Sequence, residues 1–323
     1  MGTTTVQAQD YLAYYRSVAV AEETLVQKHY DEAVQQYLQA FAAYPYNNPL
    51  DCFIAAQVAA YQKDTAACFT FLRRGFCFGL PLSCAQTNLH LRPYIQEEQL
   101  STSINIDSCL SVYRAQINTE ARTQMIALFR RDQAVVLHPD TKGLYEPNSL
   151  VLKARYRPLW DSLVAAIILL TLNNGFPAEK IIGTQQGDDS LLRPGPHSLL
   201  AYYILIHHRH AWPGMQELLL AELHKGNITP QVYAVLADHS NGYSDEAHMR
   251  YFALRTCATK ACKKELQKRH DEINAARKAI GLCSYETMEQ KYAATLQYRK
   301  ALREHLAPVA AFDFQPDLHF MGQ

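Results

Sequence analysis

The chain has 323 residues, 48% of them apolar and 19% charged, the balance of a folded globular protein long enough for two average domains. Lys plus Arg and Asp plus Glu both number 31, so no basic excess is present to neutralise phosphates and a nucleic-acid partner is not expected. The longest apolar run, Leu163 to Leu170, is too short to cross a bilayer at ~1.5 Å of helix rise per residue, and no basic segment followed by an apolar one opens the chain. A cytoplasmic protein with no membrane partner is expected.

In chain order, the segment HYDEAVQQYLQAFAAYP places Tyr30, Ala33, Tyr37, Ala40 and Pro45 at the offsets of the second helix of a tetratricopeptide unit. Small residues let a paired helix approach closely, and rings fill the space beside them. The pattern partly returns after about 34 residues: Ala21 maps to Ala55, Ala33 to Ala67 and Tyr37 to Phe71, while Arg74 replaces the second small residue. The spacing predicts helices over 10–28 and 30–44, then over 49–61 and 64–75. Asn48 before Pro49 supplies an N-cap and a first-turn proline. Two such units cannot bury their own faces, so something must cap the second. The stretch from Gly75 to Leu100, with two prolines and two glycines, reads as a packed connector, and the domain change is placed near residue 110. This gives tetratricopeptide-like repeats plus connector over 1–109 and a second helical domain over 110–323.

Helical spacing resumes with Ile117, Met125, Ile126 and Leu128. A helix around Trp160 ends at Asn174-Gly175, with Pro177 barring its continuation. The segment EKIIGTQQGDDSLLRPGPH reads as a loop. Helices follow over SLLAYYILIHHRH, capped by Ser198, over MQELLLAELHKG, and over TPQVYAVLADHS, where Thr229 and Pro230 open the first turn. Two longer helices are expected near 245–280 and 285–307. The aromatic tail APVAAFDFQPDLHFMGQ is suited to docking, with no seat indicated. No run of alternating strands is present, so the fold class expected is all-α.

The eight cysteines form no Cys-x-x-Cys pair and read as reduced thiols, several of them buried. In ILIHHRH, His207 and His210 stand at i, i+3 on one helix face and are the candidate metal ligands, while His208 turns about 100° away. The plainer reading places these imidazoles at a helix C-terminus, where the negative pole favours them. Asp132 and Asp238 are the candidate carboxylates for acid–base work, with exposed ion pairing as the plainer role for Asp132.

Several short motifs of the second region resemble, in order, those of a bacterial domain family of unknown function. Asp132-Gln133 matches its Asp-Gln, Gly175-Phe176-Pro177 its Gly-Trp-Pro, and Gly183 the glycine of its Val-Gly step. In the Gln-His-x-Asp motif, His208 takes the histidine, with His207 for Gln and His210 for Asp. Asp238-His239 stands for Asp-Arg, Tyr251-Phe252 for the start of Tyr-Gly-Thr-Gln, and Arg277, Ile280, Gly281 and Leu282 for Arg-x-x-Ile-Gly-Leu. The resemblance covers roughly residues 120–285. It implies a relative that keeps the fold while its polar positions are altered.

The function expected is therefore a non-catalytic scaffold that holds a protein or peptide against its repeats, with no cofactor. Tyr14, Tyr15, Tyr37 and Tyr61 are the candidate partner-binding surface, although some of them must be core. The competing expectation is an enzyme, a metal-assisted or acid–base hydrolase, with Asp132, Gln133, His207, His208 and Asp238 as its site.

Overall fold

The computed structural model describes residues 10–95, 103–136, 150–186, 194–208, 212–240, 249–253, 259–304 and 310–314. The fold is all-α: among the described residues extended pairing is limited to one isolated antiparallel bridge between Gln185 and Gly195, inside the segment read as a loop.

The first four helices are α1 (Tyr11–Val26), α2 (Tyr30–Ala42), α3 (Pro49–Tyr61) and α4 (Thr65–Cys77), packed as two pairs. The small residues lie where the spacing requires them: Ala21, Ala33, Ala40, Ala55 and Ala67 are all buried at the helix contacts. Their companion rings Tyr37 and Phe71 meet across the two pairs, centroids 6.4 Å apart. Asn48 caps α3 through Leu50 N–H at 2.9 Å, with Pro49 in the first turn. Arg74, the exception in the second pair, reaches back to the turn before α3, donating to Asn47 Oδ1 at 2.6 Å and to Phe41 O.

The second pair is followed by α5 (Leu82–Thr87) and capped by α6 (Ile106–Gln116), which packs on α4. Residue 110 thus lies inside α6, and one continuous apolar core runs from Tyr11 to Phe314. The expectation of reduced thiols fails here. Cys77, at the end of α4, and Cys109, on α6, form a disulfide with Cα atoms 4.1 Å apart, and Cys262 is also disulfide-bonded. Cys52, Cys68, Cys84 and Cys283 are free.

The rest of the chain supplies α7 (Thr119–Val136), α8 (Leu150–Asn174), α9 (Glu179–Ile182), α10 (Leu200–His207), α11 (Trp212–His224), α12 (Pro230–Ser240), α13 (Lys260–Lys268), α14 (His270–Ala279) and α15 (Tyr285–Arg303). Helices α11 and α15 pack on α1. The Tyr15 hydroxyl donates to Ile228 O at 3.2 Å, and Gly281 (φ +83°) comes so close that a Cβ there would sit 2.7 Å from Tyr15 Cβ. Only glycine combines that backbone conformation with that approach.

This docking corrects the reading of the tyrosines. Tyr14 and Tyr15 on α1 and Tyr37 on α2 are core residues, not groove surface: Tyr14 packs on Phe41 and Tyr44, Tyr15 reaches Ile228, and Tyr37 packs on Phe41 and Phe71. Tyr14 also bridges Asn48 N–H and the Asp51 carboxylate. Tyr61 alone of the four is half-buried. The single helix expected near 245–280 is also corrected: residues 249–253 are irregular, and α13 and α14 are separate helices meeting at Arg269. Ser198, expected as a cap, instead donates its N–H to Glu179 Oε1 at 2.8 Å. Among the described residues no helix is long and apolar enough to cross a membrane.

The Glu179–Ser198 contact gives a pH prediction. Burial pushes the Glu179 carboxyl from its ordinary 4.5 up to about 7. Below pH 4.5 the group is neutral in both folded and unfolded chains; as pH rises towards 7 the unfolded chain ionises first, and stability is lost. Glu179→Gln keeps the acceptor and stays neutral. The variant is expected to gain on the natural chain between those limits, reaching about 1–3 kcal/mol at pH 8. Urea unfolding of both chains at pH 4, 6 and 8 checks it; a constant difference across the series contradicts the assignment.

Candidate functional site

Asp132 falls on the buried stripe of α7, in register with Ala121, Met125, Phe129 and Val135. A carboxylate on an apolar stripe needs donors, and the end of α10 supplies them. His207 is the last helical residue, and its Nδ1 lies 3.0 Å from Asp132 Oδ2. His208 leaves helical geometry (φ −123°, ψ 50°), its N–H closing on Leu205 O, so its ring swings to the same carboxylate, with Nε2 3.6 Å from Oδ1. The 100° separation expected on a continuing helix is cancelled because the helix stops. Gln133 donates its side-chain amide to Asp132 Oδ2 at 3.0 Å. From α8 the Trp160 indole lies over the His208 ring, centroids 4.8 Å apart.

Asp132 and His208 side chains are fully buried, while His207 is 16% exposed. The centre is therefore graded, with its one partly exposed imidazole at the rim. Burial alone would raise the Asp132 carboxyl; the two imidazoles outweigh it and hold it below the usual carboxylate range. The exposed ion pair expected for Asp132 is thus replaced by a buried polar centre. His210 lies outside the described residues, and among those residues no group of three or more His, Cys, Asp or Glu is arranged to hold a metal ion.

Asp238 does different work. Its carboxylate is taken up by the backbone N–H groups of Arg250, Tyr251 and Ala253 at 2.8, 2.9 and 2.7 Å. Fully buried Arg277, on α14, donates to Tyr251 O at 2.7 Å and Cys283 O at 2.8 Å. Burial raises the Asp238 carboxyl despite these donors and the nearby guanidinium. Phe252 is held at φ +49° inside this clamp, its ring edge-on to Tyr285. Asp238 is therefore a structural anchor for residues 249–253, with both carboxylate oxygens engaged by their backbone.

A second polar constellation, not foreseen from the sequence, lies between α3 and α15. Residues 310–314, which form neither helix nor strand, run through it. Gln57, fully buried on α3, grips Asp313 in both directions: its Nε2 donates to Asp313 O at 3.1 Å, and its Oε1 accepts Asp313 N–H at 2.9 Å. His90 Nε2 donates to Ala311 O at 2.8 Å, and Thr295 Oγ1 on α15 accepts Phe314 N–H at 3.3 Å. Burial holds the His90 imidazole below its usual range, which keeps it neutral, with Nε2 carrying the proton given to Ala311. Phe312 enters a box of Tyr30, Tyr61 and His90, centroids 5.8, 5.6 and 5.3 Å away. The Lys291 ammonium sits 5.2 Å from the Phe314 ring. One sequence signal pointed here: Gln57 is a lone amide in the otherwise apolar stretch IAAQVAAY, and a buried amide must find partners.

No family model, curated protein or solved structure matches this chain.

Proposed function

We propose that this chain is a scaffold that holds an extended peptide segment in the cleft between its tetratricopeptide-like helices and α15. One observation carries the reading: the reciprocal pair that the Gln57 side chain makes with the Asp313 main chain. A side-chain amide that gives and takes one hydrogen bond with a backbone reads an extended chain whatever its side chains are. Main-chain bonds supply affinity in this mode, and pockets for alternate side chains supply selectivity. The partner expected is a protein or peptide; neither nucleic acid nor a cofactor enters the reading.

Panning a random linear-peptide library on the full chain carrying Phe312→Ala and Phe314→Ala, which empties the seat those rings fill, with and without Gln57→Ala, tests it. Sequences enriched where Gln57 is kept and lost where it is replaced are expected. Equal enrichment on both, or none on either, overturns the reading.

A second reading is favoured by the graded Asp132 centre. A buried carboxylate on Nδ1 of a partly exposed imidazole is the arrangement that orients a general base, and it would make His207 the proton-transfer residue, with Asp132, Gln133 and His208 positioning it. The family resemblance enters on the same footing, as a proposal. Its support is that motif positions Asp238, Tyr251 and Arg277 meet in one clamp, and that Phe252, at a family glycine position, has a left-handed backbone. The proposed compartment remains the cytoplasm, against which the Cys77–Cys109 disulfide weighs, since cytosolic reductants keep most thiols reduced.

A further inference from the structure

We infer that residues 311–314 are a built-in ligand of this cleft, standing in the place of a partner's extended Phe-x-Phe segment; the inference rests on the scaffold reading. The segment has no secondary structure of its own among the described residues. Its main chain is met by side chains from three separate elements, Gln57 on α3, His90 in the connector and Thr295 on α15. That is how a bound peptide is held; an integral strand is held by a backbone ladder.

Phe312 fills the Tyr30–Tyr61–His90 box and Phe314 packs beneath Lys291, and both are buried, while Asp313 between them is half-exposed. Selectivity therefore falls on the two rings, and the residue between them is free to vary. The occupant is tethered to α15, which ends at Arg303. A short tether gives an effective concentration of about a millimolar, so a partner's segment of equal intrinsic affinity is held off until the tail is released.

The test uses the full chain and the double variant Phe312→Ala, Phe314→Ala, with a fluorescent peptide copying Ala310 to Gln315 as probe, read by anisotropy. The double variant is expected to bind the peptide saturably and about tenfold or more tighter than the natural chain. Adding Gln57→Ala, or replacing both phenylalanines of the peptide with alanine, is expected to abolish that binding. A folded double variant that ignores the peptide sinks the scaffold reading itself. Equal binding by both chains leaves that reading standing and overturns the built-in ligand. Retained binding of the alanine peptide overturns the Phe-x-Phe assignment. If the double variant unfolds, restoration by added peptide supports the inference, and failure to restore makes the tail an integral part of the core. A dimer formed only by the intact chain would make a second copy's tail the occupant and overturn the assignment to a partner.

Discussion

Asp132→Ala is expected to lower the unfolding free energy by about 3 kcal/mol at neutral pH, as measured by urea denaturation. The carboxylate is buried, accepts from His207 and Gln133 at 3.0 Å, and faces His208 at 3.6 Å. Alanine removes the acceptor and leaves a fully buried imidazole and a partly buried one where water enters poorly. Asp132→Asn is expected to cost less, about 1 kcal/mol, because its amide oxygen can take the place of Oδ2. The two variants also differ from the natural chain in pH dependence. A lowered carboxyl stabilises the fold at neutral pH, and that share is lost as pH falls through the folded value. Both substitutions remove it, so their curves should approach the natural one in acid. A cost for Asp132→Ala within about 0.5 kcal/mol of zero, the range of ordinary surface changes, would mean that the centre is open to water and the burial argument is wrong.

The same centre marks where sequence reasoning holds and where it stops. Caps and close contacts are written locally: Asn48-Pro49 at α3, Thr229-Pro230 at α12, and the alanines that seat α1 on α2 can each be read from a few neighbouring residues. The joining of His207 and His208 on one carboxylate is not written that way. Periodicity places them on different faces, and the end of helix at His207 that reunites them is set by tertiary packing around Trp160 and Asp132. Tyr14, Tyr15 and Tyr37 have the composition of a binding surface, yet the elements packed on α1 and the rings beside Tyr37 on α2 make them core. The seat of residues 311–314 is less legible still. An irregular segment held by distant side chains has no period and no cap, so only Gln57, an amide that must be satisfied, hints at it.

Asp238→Ala is expected to be the most damaging single substitution in the chain, costing about 4 kcal/mol or more. One carboxylate satisfies three backbone N–H groups, and each buried donor left unmet costs about 1–3 kcal/mol. The loss spreads, because the segment it fixes carries Tyr251, whose carbonyl receives the Arg277 guanidinium, and Phe252, which packs on Tyr285. With residues 249–253 released, Arg277 is left as a fully buried cation short of an acceptor. Asparagine distinguishes this anchor from the Asp132 centre. Here both oxygens act as acceptors, Oδ1 for Arg250 and Tyr251 and Oδ2 for Ala253. An amide must turn its NH2 towards one of those donors, so Asp238→Asn should be nearly as costly as alanine. Hydrogen exchange at the amides of Arg250, Tyr251 and Ala253, measured alongside urea unfolding, gives the local readout: all three should lose protection in both variants. If asparagine keeps that protection and most of the stability, the carboxylate is not the clamp. Asp238 would then be available to the proton-transfer reading, free of the anchoring role that its three N–H donors give it.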